Sequence, residues 1–338
     1  MKLLVTGGSG FIGSAFIKRM LKSSDVDSIL NIDSLSYASN TSLENIQKQK
    51  KYLFCNLDIC DYDALEKVIK SYVPNRIIHF AAESHVDRSI GNAKNFINTN
   101  IIGTYNLLEA SRKLLSAELL GKNFIFHHIS TDEVYGDLSI DEEPFTEASQ
   151  YKPSSPYSAS KASSDHLVRS WGRTYNINFI ITNCSNNFGP FQHPEKFIPT
   201  IILKALENQK IPIFGDGSQI RDWLFVDDHI DALEIITRKE FINEVFNIGS
   251  SNEVTNINLA NMILNLMIEE YGLDHSIIKL LHHVPDRAGH DIRYSVNSNK
   301  LKEHTGWIAS SKFEDNLKFT IQWYINNQQN MAEIFNGI

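Results

Sequence analysis

The chain has 338 residues, 42% hydrophobic and 21% charged, which excludes disorder and leaves length for one large domain or two lobes. Its formal net charge of −8 gives no global electrostatic reason to bind nucleic acid or an anionic membrane, so any phosphate must be met by a local site. The three cysteines, Cys55, Cys60 and Cys184, form no CxxC pair, and neither a signal-peptide core nor an apolar run of ~18 residues is present, so a soluble cytoplasmic protein with reduced thiols is expected.

The first strand is expected at Lys2–Thr6 and runs directly into Gly7-Gly8-Ser9-Gly10-Phe11-Ile12-Gly13. This G-x-x-G-x-x-G spacing, opening a helix at Phe11–Leu21, fits a dinucleotide. Gly7 and Gly10 permit a tight turn and close approach to a pyrophosphate, and Gly13 lets helix and strand pack. The helix N-terminus supplies N–H groups and a positive dipole end. A second strand, Ser28–Asp33, ends on a carboxylate 20 residues beyond Gly13, placed to accept from a ribose 2′-OH. Asp33 would repel a 2′-phosphate and Ser34 offers no arginine to offset it, so NAD is expected over NADP.

Further strands are expected at Tyr52–Asn56 and 76–81. Asp58-Ile59 after the first is placed to meet an adenine ring, and Ala81-Ala82 after the second allows close cofactor approach. Apolar spacing predicts helices over 62–71 and 95–115, then a strand over 124–130, a helix from about 158 to 175 and a strand over 179–183. This alternation predicts an α/β fold, a Rossmann-type doubly wound parallel sheet with helices on both faces. Beyond Asn187, Gly189-Pro190, His193-Pro194 and Gly215-Asp216-Gly217 mark turns. The expected organisation is a dinucleotide domain over 1–187 and a smaller α/β substrate-binding lobe over 188–338. The helix 225–237 and strand 245–249 are expected to return to the first sheet.

Tyr157-Ser158-Ala159-Ser160-Lys161 puts a phenol and an ammonium at i and i+4 on one helix face. A tyrosine with pKa near 10 is a poor base at neutral pH; a cation at about 4 Å and an effective dielectric near 20 contributes roughly 4 kcal/mol, or about three pKa units. Lys161, helped by the nicotinamide charge, is therefore expected to make Tyr157 a usable base. Asp132-Glu133, at the end of a strand, offers a proton donor beside an acceptor, with one pKa raised by like-charge repulsion. Which one is raised is open at this level. His127-His128 and His282-His283 point to different faces in each pair, with no carboxylate or cysteine to complete a set, so no metal is expected.

The glycine motif with Y-x-x-x-K resembles an extended short-chain dehydrogenase/reductase. Narrower blocks resemble the dTDP-glucose 4,6-dehydratases: Ala81-Ala82-Glu83-Ser84-His85-Val86-Asp87-Arg88-Ser89, Ser130-Thr131-Asp132-Glu133-Val134-Tyr135-Gly136, Asn186-Asn187-Phe188-Gly189-Pro190, Gln219-Ile220-Arg221-Asp222-Trp223 and Asp286-Arg287-Ala288-Gly289-His290-Asp291. The blocks run in order from Met1 to about Trp307. The resemblance implies that Tyr157, with Lys161, takes the 4-OH proton of a nucleotide hexose and that Thr131 bonds the same oxygen. It implies that Glu133 removes the C5 proton and Asp132 delivers a proton to the departing 6-OH, while NAD is recycled.

It also implies cofactor contacts at Phe11, Ile12, Ser84, Thr99, Ser130 and Cys184. Substrate contacts are implied at Ser84, Thr131, Asn187, Lys196, Phe197, Pro212, Ile213, Phe214, Arg221, Asn256, Arg287 and His290, where the two arginines would fork onto a diphosphate. A homodimer through a four-helix bundle and dTDP-glucose as substrate are expected. Phe188 and Phe214 stand where relatives often carry tyrosine, and Ser34 where they often carry lysine. The competing readings are a nucleotide-sugar 4-epimerase or decarboxylase, a UDP-glucose 4,6-dehydratase and a non-catalytic NAD-binding regulator.

Overall fold

In the computed structural model, which describes residues 1–310 and 312–335, the strands lie where apolar runs bury on both faces of one sheet. In chain order the parallel strands are β1 (Lys2–Thr6), β2 (Ser28–Asp33), β3 (Tyr52–Asn56), β4 (Arg76–His79), β5 (Ile125–Thr131) and β6 (Asn178–Cys184). They are joined by β10 (Glu244–Ile248) in the order β10-β6-β5-β4-β1-β2-β3. Alternate residues serve opposite cores: Leu3, Val5, Ile78 and Ile180 pack into one, Leu4, Ile77, Phe126 and Ile181 into the other. Period-two alternation explains this, and it is why the strands read as continuous apolar runs. Each such side chain stabilises the fold by about 1.5–3 kcal/mol when fully buried.

The helices on the two faces are α1 (Phe11–Leu21), α2 (Tyr62–Tyr72), α3 (Val86–Gly91), α4 (Ala93–Phe96), α5 (Thr104–Ser116) and α6 (Pro156–Tyr175). The helix expected over 95–115 is not continuous: Ile97–Gly103 is a π-helical stretch between α4 and α5. Two contacts account for the widening. Gly103 lies so close to Ile59 that a Cβ would sit 2.4 Å from its Cδ1. Asn100 turns inward to donate to the Glu83 carbonyl at 3.0 Å and the Ser160 hydroxyl at 2.8 Å. Apolar periodicity carries no trace of either contact.

The helix expected from 158 begins instead at Pro156. Ser155 and Ser158 form a reciprocal capping box, and proline occupies the first turn, where its missing N–H costs nothing. Strand β4 stops at His79, two residues short of the expected end, and β5 ends one residue later than expected, on Thr131.

After β6 the chain leaves the sheet. It forms β7 (Asn186–Phe188), α7 (Phe197–Leu206), β8 (Ile211–Phe214) and β9 (Ile220–Phe225), then α8 (Val226–Arg238), which is tied to α1 through Arg19 with Asp231 and Glu234. Strand β10 follows and pairs with β6. The rest comprises β11 (Glu253–Thr255), α9 (Asn256–Tyr271) and β12 (Leu281–Val284), with further helices beyond. β11, β9 and β7 make a small mixed sheet, and β12 pairs with β8. Among the described residues no helix is long and apolar enough to cross a membrane.

Candidate active site

The strand order reverses between β1 and β4, and open α/β sheets bind ligands at such a point, beyond the strand carboxyl ends. A cavity of about 420 Å³ lies there. Gly7, with φ +69°, is pressed against β4: a Cβ would be 2.5 Å from the Ala81 nitrogen. A Cβ on Gly13 would be 2.4 Å from the Gly7 carbonyl oxygen. At Gly10, the N-cap of α1, it would meet only that oxygen at 3.3 Å, so the space over Gly10 belongs to the cavity.

Asp33 accepts from the Ser9 amide at 2.8 Å and the Leu35 amide at 2.9 Å, fixing the glycine loop while one edge still lines the cavity. Burial raises its pKa and these amides pull it back. Phe11, Ile12, Asp58, Ile59, Ala81, Ala82, Ser84, Thr99, Ser130, Tyr157, Lys161 and Cys184 line the same cavity. An uncapped helix N-terminus, a glycine cradle and a carboxylate at the end of β2 suit the pyrophosphate and ribose of NAD.

Thr131 and Glu133 line the cavity beside Tyr157 and Lys161, whereas Asp132 is buried behind them and does not line it. Thr131, Asp132 and Glu133 turn off β5 in a short 3₁₀ helix, whose N-cap Thr131 accepts from the Glu133 amide at 3.3 Å. The Thr131 hydroxyl donates to Asp132 Oδ1 at 3.2 Å, and Asp132 Oδ2 is buried with no hydrogen-bond partner among the described residues. Burial first, then the neighbouring Glu133 and Asp222 charges, hold the Asp132 carboxyl far above the ordinary range. Glu133 is also raised by burial, but Arg221, Lys196 and Arg287 act against the rise. Of the two, Asp132 is the one pushed further toward its protonated form.

Without the nicotinamide charge, the protein's own groups raise the Tyr157 phenol. Burial, then Glu133 and Cys184, push its phenol well above 10, and the bond to Thr131 only partly opposes them. Lys161 Nζ donates to the Ile129 carbonyl at 2.8 Å and lies 3.3 Å from His128 Nε2; burial lowers it to about 8. The i, i+4 spacing carries no information on the desolvation of the two groups, which is the largest influence on each.

Among the predicted substrate residues, Ser84, Thr131, Asn187 and Lys196 line the cavity, and Lys196 Nζ holds the Ser84 carbonyl at 2.8 Å. Arg221 lies over the Tyr294 ring at 4.3 Å and donates to the Ile220, Asp291 and Ile292 carbonyls, so part of the expected fork is already engaged. Arg287 covers the Phe214 ring at 4.5 Å, His290 is held by Asp286 at 2.6 Å, and Phe197 stacks on Trp223. Pro212 is half-buried on β8, and Asn256 opens α9. Ile213 corrects the expectation: it is fully buried in the core and does not line the cavity. Phe188 is likewise buried, so the departure from tyrosine there puts no ring in the cavity.

A family model described as GDP-mannose 4,6 dehydratase matches residues 4–320. The chain belongs to that family. It is 48% identical to a dTDP-glucose 4,6-dehydratase of Neisseria meningitidis over 99% of this chain and 96% of that protein. Its fold matches the crystal structure of the Streptomyces venezuelae dTDP-glucose 4,6-dehydratase with NAD and dTDP bound, at TM-score 0.88 and 38% identity, covering 97% of this chain and 98% of that one. A UDP-glucose 4-epimerase of Thermotoga maritima, solved with UDP-glucose, matches at TM-score 0.84 and 28% identity over 97% of this chain and all of that one.

Within this family's fold, several groups around the cavity went unread in the sequence. His128 and Asp165 sit beneath Lys161. Tyr37, Arg88 and Glu195 join three segments at the cavity edge. Asp165 lies four residues beyond Lys161, and that spacing was the available signal.

Proposed function

We propose that the chain is an NAD-dependent dTDP-glucose 4,6-dehydratase, converting dTDP-glucose to dTDP-4-keto-6-deoxyglucose and water. The observation that carries the reading is the pairing of a buried Asp132, whose carboxyl burial pushes toward its protonated form, with the cation-facing Glu133, which lines the dinucleotide cavity beside Tyr157. Bound NAD supplies the redox chemistry, accepting hydrogen from C4 and returning it at C6.

The chain's residues do the rest. Tyr157 accepts the 4-OH proton while Thr131 bonds the same oxygen. The ketone formed at C4 acidifies the C5 hydrogen, Glu133 removes it, and Asp132 gives its proton to the departing 6-OH. The C5–H and C6–O bonds break, a C5–C6 double bond forms, and one water leaves. Reduction at C6 and a proton at C5 complete the product. Burial raises the Tyr157 phenol, so the Lys161 ammonium and the nicotinamide charge of bound NAD together are what would offset it and let Tyr157 act as a base. Arg221, Arg287 and Lys196 supply the positive field for the diphosphate, and Phe214 a ring face for the base.

A 4-epimerase needs Tyr157 and Lys161 but neither a C5 base nor a C6 acid, so Asp132-Glu133 separates the two readings. Incubation with dTDP-glucose, UDP-glucose and GDP-mannose, read by mass spectrometry, tests the proposal: loss of one water from the thymidine substrate supports it, and an unchanged mass with inverted stereochemistry supports an epimerase. The protein is also read as a cytoplasmic homodimer. Ile97, Ile102, Tyr105 and Tyr175 stand exposed along the face formed by the π stretch, α5 and α6, an apolar surface suited to pairing with its own copy. A monomer in sedimentation at micromolar concentration would contradict the dimer.

A further inference from the structure

Beneath Lys161 lies a buried polar cluster that the reaction does not consume. His128 Nε2 on β5 lies 3.3 Å from Lys161 Nζ and 3.3 Å from Asp165 Oδ1; taking a proton from the ammonium, it approaches the carboxylate without a hydrogen bond, and Asp165 Oδ1 has no hydrogen-bond partner among the described residues. Both His128 and Asp165 are fully buried. Asp165 is one helical turn beyond Lys161 on α6, and its other oxygen accepts from the Tyr151 hydroxyl at 2.9 Å and Asn183 Nδ2 at 3.4 Å. The imidazole thus stands as a wedge between a cation and an anion of one helix. It keeps them from closing into a direct pair, while the Ile129 carbonyl holds the ammonium at the cavity wall.

The geometry points to Asp165 and His128 as positioning residues for Lys161: Asp165 is the buried counter-charge that keeps the ammonium charged, and His128 is the spacer that keeps it at the cavity. The inference deepens the proposed function and rests on it for the role given to Lys161. A carboxylate this deep would ordinarily take up a proton, yet the adjoining His128 and the Lys161 charge outweigh burial and hold Asp165 below the usual range. Burial keeps His128 itself neutral, down at about 4. For Lys161, burial lowers the ammonium to about 8, with Asp165 and then Cys184 opposing the fall.

The titratable groups around Lys161 are Tyr157 and Asp165 on its own helix, His128 on β5 with Asp132 and Glu133 at its end, His79 on β4 and Cys184 on β6. The π stretch behind α6 presents the neutral Asn100. The charged groups of α3 and α5 are paired elsewhere: Arg88 with Glu195, Asp87 with Arg287, Glu109 with Arg112 and Lys113 with Glu66. Asp165 is therefore the negative charge that Lys161 meets on its protein side.

The test reads Lys161 directly. In protein labelled with ¹³C-lysine, the Lys161 side-chain resonance, assigned with Lys161→Arg, is followed against pH in wild type, Asp165→Asn and His128→Ala. Loss of the counter-charge moves the titration down by about one unit or more, the range a nearby opposite charge supplies. Loss of the spacer lets ammonium and carboxylate close, and moves it up. In both variants kcat falls about tenfold or more, the minimum expected for a displaced catalytic group, with KM within about threefold. Tyr151→Phe, which removes a neutral hydrogen bond to Asp165, leaves the Lys161 titration in place.

The resonance reports on Lys161 whether or not the enzyme dehydrates sugars, so failure of the function reading and failure of this one are separable. An unchanged Lys161 titration in Asp165→Asn, or a downward shift in His128→Ala, overturns the inference. If Asp165→Asn does not fold, the upward shift in His128→Ala decides alone.

Discussion

Asp132 and Glu133 are adjacent in sequence, yet their carboxyl groups meet opposite fields: Asp132 is sealed against Asp222 with an unpartnered oxygen, whereas Glu133 faces Arg221, Lys196 and Arg287. That asymmetry is what supports the proposed division into an acid, Asp132, and a base, Glu133. It also makes the two carboxylates separable by mutation.

Glu133→Gln keeps the size of the side chain but removes the base. Oxidation at C4 does not need it, so substrate still reduces the bound cofactor, seen as absorbance of the reduced nicotinamide, while solvent deuterium no longer enters at C5. Turnover falls by about 10²–10⁴-fold, the usual contribution of a positioned base. Near-wild-type turnover would remove Glu133 from the role.

Asp132→Asn trades function for stability. A carboxyl whose folded pKa is raised contributes stability at pH below its unfolded pKa, and that contribution is lost as pH rises through the folded pKa. Asp132 is such a group, raised mainly by burial. Asparagine removes the burden at high pH, so calorimetry at pH 8 should show the variant melting above wild type, with the gap narrowing as pH falls toward 5. Turnover should fall while bound cofactor is still reduced. A variant less stable than wild type at every pH would contradict this electrostatic picture.

The cofactor is regenerated in place, so it must stay bound through turnover. Tyr37 donates to Glu195 at 2.9 Å, and Arg88 stacks on the Tyr37 ring at 3.6 Å and pairs with Glu195 at 3.0 Å, joining the segment after β2, helix α3 and the loop before α7. Glu195→Gln weakens both links. We predict that NAD leaves about tenfold faster, the effect of losing about 1.4 kcal/mol from a charge-assisted contact, as read by stopped-flow displacement. An unchanged dissociation rate would exclude the clasp.

The glycine loop gives a paired comparison. Gly13→Ala drives a methyl into the Gly7 carbonyl and should destabilise the fold, lowering Tm. Gly10→Ala meets only that oxygen at 3.3 Å, so the protein should melt close to wild type yet bind NAD more weakly in calorimetric titration. If both variants lose stability equally, Gly10 serves the fold and not the ligand.

The parallel sheet was legible because strands buried on both faces are apolar throughout, and the glycine spacing and Asp33 were legible because their chemistry is local. Burial was not. Lys161 and Asp165 read as residues of an amphipathic helix, and only the packing of α6 on β5 turns them into a desolvated pair with His128 between them. For the same reason the desolvation of Tyr157 and the burial of Ile213 in the core were not legible. The π turn at Ile97–Gly103 follows from the Gly103 contact with Ile59, which joins residues far apart in the chain.

The central claim is that one active site oxidises C4, expels water across C5 and C6, and reduces C6 with the hydrogen taken from C4. Incubation with dTDP-glucose deuterated at C4, followed by mass spectrometry and NMR of the product, tests all three steps at once. The account predicts a product lighter by one water with the deuterium at C6. A product of unchanged mass, with the deuterium retained at C4 of an inverted sugar, would contradict it.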